Sequence, residues 1–278
     1  MADEAALLAR RRELWGQTPE TRVPDPDGAA RLIERVGVAT LYPVSPEVPN
    51  LFHAYTGDPE AKTDSGHDSP SGDVYSWRWT LGRREAAFYS VLVRGRPTWV
   101  RWTLFPAIFR LWGELRMPDE LYGAGELSAD GYRVARALDA AGGVLSTGEL
   151  RLHADFPTGK ASRAAYLKAV DELDSRLLLA KVFSPDEDDL GMRHALVRTR
   201  YPEHVASAEA RPREAALGAF LAAYLPSAVY AVPAVLAKHL KLPEVELRVG
   251  LDRLVDDGRA ASLALPERKG TCYRWTGG

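Results

Sequence analysis

Twice in the C-terminal half of the chain, three short amphipathic helices are followed by two strands joined at a charged tip. This element order predicts an α+β fold, mostly α, built of tandem winged helix-turn-helix units. A length of 278 residues with 46% hydrophobic and 27% charged side chains supplies the core such units need and excludes a disordered chain. Residue-level similarity between the units is weak, so the repeat is one of element order.

The elements follow in order. Residues 3–15 and 27–37 read as helices, the second ending at Gly37. Prolines 43, 46, 49, 59 and 70 then stud an irregular passage that includes an acidic loop, 57–73, with five acids against Lys62. From Ser76 to Arg116 eight arginines face only Glu85 and Glu114, a local balance of +6, and five of the seven tryptophans lie there. That segment reads as a helix to about Gly95, an extended piece 98–102 and a helix carrying Leu104, Ile108, Leu111 and Trp112.

In the middle unit, Tyr132, Ala135 and Leu138 mark a helix that stops at Gly142-Gly143, and Ser146-Thr-Gly-Glu149 forms a capping box. Tyr166, Val170, Leu173 and Leu177 share one face of the third helix, and strands 178–183 and 193–200 flank the acidic tip Asp186-Glu-Asp-Asp189. The last unit repeats the order: a helix starts at Pro212, Val232–Leu240 and Val245–Asp257 follow, and two strands surround the basic tip 266–270. The expected division is an N-terminal winged-helix-like domain, 1–117, a middle one, 118–205, and a C-terminal one, 206–278.

Composition excludes several classes of function. No apolar run approaches the ~18 residues of a membrane span, and the acidic start Met1-Ala-Asp-Glu lacks the basic region of a secretory signal, so a cytoplasmic protein with no membrane partner is expected. A single cysteine, Cys272, permits neither an internal disulfide nor a thiolate cluster. The net charge of -2 argues against a uniformly basic coat for nucleic acid but not against a basic patch. Gln17 and Asn50 are the only side-chain amides. No nucleotide-binding Gly-rich loop or nucleophile elbow occurs, and no cofactor is expected.

Four stretches carry a family resemblance: 51–60 (Leu-Phe-His-Ala-Tyr-Thr-Gly-Asp-Pro-Glu), 74–82 (Val-Tyr-Ser-Trp-Arg-Trp-Thr-Leu-Gly), 94–100 (Arg-Gly-Arg-Pro-Thr-Trp-Val) and 156–166 (Phe-Pro-Thr-Gly-Lys-Ala-Ser-Arg-Ala-Ala-Tyr). Through them most of the chain resembles the AlkZ-like winged-helix proteins related to bacterial DNA glycosylases, in particular the shorter AlkZ-related branch. The resemblance implies tandem winged helices, contact with DNA and a place in DNA repair. The family's catalytic Gln-x-Gln or Gln-x-Asp has no match, because Gln17 is followed by Thr18 and Pro19.

Candidate site residues fall in four places. Arginine forks grip phosphate and exposed indoles stack on unpaired bases, which makes Arg94, Arg96, Arg101 and Trp99 a candidate DNA surface. Trp99 reads equally as core, whereas Trp77, Trp102 and Trp112 read as core from their apolar neighbours. The acidic loop offers Asp58, Asp64 and Asp68, with His53, as groups able to activate water for N-glycosidic hydrolysis, in a cleft against residues 94–101. Its alternative uses are a metal site, for which the usual His spacings are missing, a solvated loop, or a shield over the basic segment. Thr158, Lys160, Ser162 and Arg163 cluster where a recognition helix begins. The last unit adds Lys238, Lys241, Arg268 and Lys269, while the acidic wing at 186–189 would be repelled by a phosphate backbone. DNA is the expected partner, as plain duplex or in a damaged or branched form; the competing reading is a winged-helix regulator or interaction module without catalysis.

Overall fold

A computed structural model describes residues 3–266 and 268–277. Met1 and Ala2 of the acidic start, Glu267 of the C-terminal tip and Gly278 lie outside the described residues. The polar helix α1 (Glu4–Leu14) begins where the Asp3 carboxylate accepts from the Ala5 amide, and Arg11 is its one buried residue. In α2 (Pro26–Val36), Asp25 caps the Gly28 amide at 2.7 Å and Pro26 fills the first turn, where its missing N–H costs nothing. Ala29, Leu32, Ile33 and Val36 form its buried face, and Gly37 at φ 81° ends it.

Strand β1 (Val38–Thr40) follows, then α3 (Leu51–Thr56), whose N-terminus is capped by Asn50 and whose C-terminus is Gly57 in the left-handed conformation. A side chain at 57 would place its Cβ 2.9 Å from the Thr18 carbonyl, so glycine is required there. Helix α4 (Pro70–Arg83) leads to β2 (Phe88–Val91), a single 3₁₀ turn (Val93–Gly95) and β3 (Pro97–Val100). The expected helix through Gly95 is therefore cut short. Glu85 adopts φ 45° and breaks it, and Phe88, Tyr89 and Ser90, all buried, pair antiparallel with β3 instead.

After α5 (Phe105–Trp112) and α6 (Pro118–Gly123) come α7 (Ala129–Ala141), β4 (Leu145–Ser146), α8 (Thr147–His153), α9 (Lys160–Ser175), β5 (Leu179–Phe183) and β6 (Met192–Leu196). The Ser146–Glu149 capping box is present in both directions. Helices α10 (Val197–Arg200) and α11 (Pro202–Glu209) connect to α12 (Arg213–Ala228), β7 (Tyr230–Ala231), α13 (Pro233–Leu240), α14 (Glu244–Asp256), β8 (Ala260–Leu263) and β9 (Cys272–Trp275).

The fold is α+β, mostly α. Each third of the chain runs helix, strand, helix, helix, strand, strand, and the sheets have the same order: β1-β3-β2, β4-β6-β5 and β7-β9-β8. The last strand of each unit sits in the middle of its sheet, which is the topology of a winged helix. The first and third units share a core in which α5 packs on α12 and Trp112 meets Phe220 edge-on at 5.5 Å. The middle unit has a second core around Leu138, Leu150, Tyr166 and Leu173.

Candidate nucleic-acid interface

The arginines of segment 76–116 do not form one face. Arg83 donates Nε to the Ser184 carbonyl at 3.2 Å and Nη2 to that of Glu187 at 2.8 Å, while the Trp79 indole donates to the Leu190 carbonyl at 3.1 Å. The acidic wing of the middle unit is thus held along α4 through its backbone. Arg84 pairs with Asp27, Arg116 with Glu114 and Glu126, and Arg101 caps the Glu34 carbonyl at 3.0 Å. Among the described residues the loop 57–73 makes one ion pair, Glu60 to Arg12 at 3.8 Å, which reaches α1 and none of the arginines of segment 76–116. Trp99 is 0% exposed, in contact with Tyr89 at 4.6 Å and stacked with Phe183 at 6.4 Å. A fully buried indole cannot stack on a base, so Trp99 is core. Its place in the central strand, with its side chain turned inward, decides this.

Arg94 and Arg96 remain exposed and meet no carboxylate among the described residues. They sit in the turn between β2 and β3, where Arg94 takes φ 51° and donates to the Val44 carbonyl at 3.3 Å. That turn packs on α13. A narrow cavity of about 50 Å³ separates them, with Arg94, His239 and Lys241 beside Trp112, Phe220 and Tyr224. The Trp112 indole donates to the Leu240 carbonyl at 2.9 Å and fixes the end of α13, where Lys241 adopts φ 55°. Lys238 and Lys241 are exposed and likewise lack a carboxylate among the described residues. The His239 pKa is lowered by burial, and by the neighbouring Arg94 and Lys238 against the opposing pull of Glu47. The fold therefore brings Arg94 of the first unit and Lys241 of the third to one cavity, with Arg96 two residues further along the same turn and Lys238 on α13.

In the middle unit Thr158, Lys160 and Arg163 are exposed, the first just before Gly159 (φ 135°) and the other two in the first turn of α9. The Ser162 hydroxyl is buried instead, so it presents nothing to solvent. Lys269 of the C-terminal wing is exposed, whereas Arg268 donates to Glu4 at 2.8 Å and ties that wing to α1. Glu4 also accepts from the Tyr230 hydroxyl; these bonds and the Arg268 charge lower its pKa against the opposing effect of burial.

Behind the segment that carries Val44, a cavity of about 430 Å³ opens between α1, residues 43–50 and α3. His53 lines it, and so do Arg11, Trp15, Gln17, Asn50 and Glu60, of which only Glu60 belongs to the acidic loop. Asn50 donates Nδ2 to His53 Nδ1 at 3.1 Å, and the opposite ring nitrogen faces the Ala61 carbonyl at 3.2 Å. This pair fixes the tautomer with Nε2 protonated. Burial lowers the His53 pKa despite the Ala61 bond and the charges of Asp58 and Glu60. The predicted carboxylates are not gathered there. Asp58 and Asp64 each spend one oxygen on an amide of their own loop, Glu60 at 2.9 Å and Gly66 at 3.0 Å, and Asp68 is exposed. No set of three His, Cys, Asp or Glu side chains among the described residues is arranged to hold a metal ion.

Three winged-helix units with a cationic seam between the first and the third define a tandem winged-helix protein. The chain belongs to the AlkZ-related family, whose sequence profile matches residues 23–217. Its fold is similar to that of the Streptomyces sahachiroi DNA glycosylase AlkZ, with a TM-score of 0.59 at 15% identity over 99% of this chain and 70% of that one. No curated protein matches the sequence. No described helix is long and apolar enough to cross a membrane.

Proposed function

We propose that this chain is a cytoplasmic DNA-binding protein with a role in DNA repair. Its three units, taken as 1–117, 118–205 and 206–278, grip the phosphate backbone at the junction of the first and third. The observation that carries this reading is the meeting of Arg94 and Lys241 at one cavity, with Arg96 in the same turn as Arg94 and Lys238 on α13, all four exposed and none of them in an ion pair among the described residues. Phosphates neutralise such groups and release counterions, which drives binding without sequence preference. Thr158, Lys160 and Arg163 at the start of α9 supply a second contact, and Lys269 a third. Family membership and the likeness to a DNA glycosylase support repair over gene regulation. Titrating labelled duplex, mismatched and single-stranded DNA tests the reading: binding that weakens steeply with salt is expected, and absent or salt-insensitive binding would sink it.

The acids favour a second reading, binding without hydrolysis. Asp58 and Asp64 are committed to their own loop, and the glutamine pair of the better-known relatives has no counterpart. Hydrolysis would fall instead to His53 and Glu60 at the cavity, the groups there able to move a proton. Incubation with alkylated DNA followed by alkaline cleavage separates the two. Strand breaks lost in His53→Ala support the enzyme, and intact binding without breaks supports the module.

A further inference from the structure

We infer that the cavity between α1, residues 43–50 and α3 is a recognition pocket for a single nucleobase, read through the side-chain amides of Gln17 and Asn50. The choice of a nucleobase among similar ligands rests on the DNA reading above. In a chain with only two side-chain amides, 33 positions apart, both are buried, at 7% and 2% exposure, and both line this one cavity. The Gln17 carboxamide is bonded to no described residue; its backbone amide alone is engaged, donating to the Arg12 carbonyl at 2.8 Å. Neither carboxamide atom is sealed off from the cavity, so its N–H and C=O are both open to bond with what enters there.

The lining decides the chemistry of that occupant. Arg11 is already spent: its guanidinium donates to the carbonyls of Ala228 and Tyr230, with the Glu47 carboxylate 3.4 Å away. Both ring nitrogens of His53 are engaged, Nδ1 accepting from Asn50 at 3.1 Å and Nε2 donating to the Ala61 carbonyl at 3.2 Å. At the mouth Arg12 and Glu60 offset each other at 3.8 Å. A phosphate or carboxylate would find no free charge to neutralise it. A neutral group with a donor beside an acceptor matches the free N–H and C=O of a carboxamide in two parallel bonds, and Trp15, Pro43, Val44, Pro46 and Val48 supply an apolar lining for it. The segment that walls the pocket also carries Val44, whose carbonyl holds Arg94. The cationic seam and the pocket thus lie on either side of residues 43–50.

Saturation-transfer NMR of the full chain with free adenine, guanine, cytosine and thymine tests the inference, with phenol and inorganic phosphate as comparators. At least one base should give a signal that neither comparator displaces, and Gln17→Ala should weaken it about tenfold, the loss of one net hydrogen bond. Gln17→Glu keeps the shape but removes the donor, and Asn50→Asp keeps the α3 cap while removing the Nδ2 donor; both should shift which base binds best. Absence of signal for every base, displacement by phenol or phosphate, or undiminished binding in folded Gln17→Ala and Gln17→Glu would overturn it. Base binding in a protein that ignores DNA would leave the pocket standing and sink the seam instead; DNA binding without base binding would do the reverse.

Discussion

Arg11 lies over the ring of Tyr230, 4.4 Å from its centroid, while its Nη2 donates to that residue's own carbonyl at 2.6 Å. Its Nε reaches the Ala228 carbonyl at 2.7 Å, so the guanidinium straddles Val229, whose φ of 69° is a conformation that a β-branched residue rarely adopts. A residue of the first helix thereby fixes the turn that opens the last unit. At 3% exposure the charge is tolerated because Glu47 and two carbonyls surround it.

Removing that side chain should therefore be costly. Arg11→Ala is expected to lower stability by about 3 kcal/mol or more, because it strands Glu47 and two buried carbonyls. Arg11→Met combined with Glu47→Gln should recover part of the loss. Urea denaturation followed by circular dichroism measures both.

Trp99 separates core from contact. Trp99→Ala should cost about 3–5 kcal/mol through the cavity it leaves, and Trp99→Phe less. In both, DNA affinity measured well below the melting temperature should match the parent protein; a loss of affinity with unchanged stability would restore the indole to the interface.

The middle and last units were legible from sequence because their cues are local. The Ser146–Glu149 capping box, the Gly142 stop and the spacing of Tyr166, Val170 and Leu173 each act within a turn or two of helix, and each recurs in the structure. The first unit was harder to read because its decisive event is tertiary: residues 88–91 become a strand only because β3 is there to pair with them. The charge count of segment 76–116 was correct, but pairing with Asp27, Glu126 and the carbonyls of the acidic wing cannot be read from counts. Gln17 and Asn50 stood out by rarity alone. Their meeting at one cavity depends on α1 packing beside residues 43–50, which no spacing reveals.

His194 makes stability depend on pH. Burial, and next the charge of Lys181, push its pKa from 6.5 down to about 3. The folded protein refuses a proton that the unfolded chain accepts, so the contribution is fully present above pH 6.5 and declines by about 1.4 kcal/mol per unit as pH falls toward 3. Denaturation at about pH 7 and about pH 5 should differ by roughly 2 kcal/mol from this group, and His194→Gln should flatten the slope between them. An unchanged slope would mean that the carboxylates alone set the acid response.

The seam between the first and third units is tested most directly by the salt dependence of duplex binding in the parent chain and in Arg94→Glu/Lys241→Glu. Four phosphate contacts predict a slope of about -3.6 in log affinity against log salt, and loss of two should reduce it by about 1.8. Charge reversal in Lys160→Glu/Arg163→Glu should leave the seam's share in place. A slope unchanged by Arg94→Glu/Lys241→Glu, with the protein folded, would contradict the assignment of DNA binding to this seam.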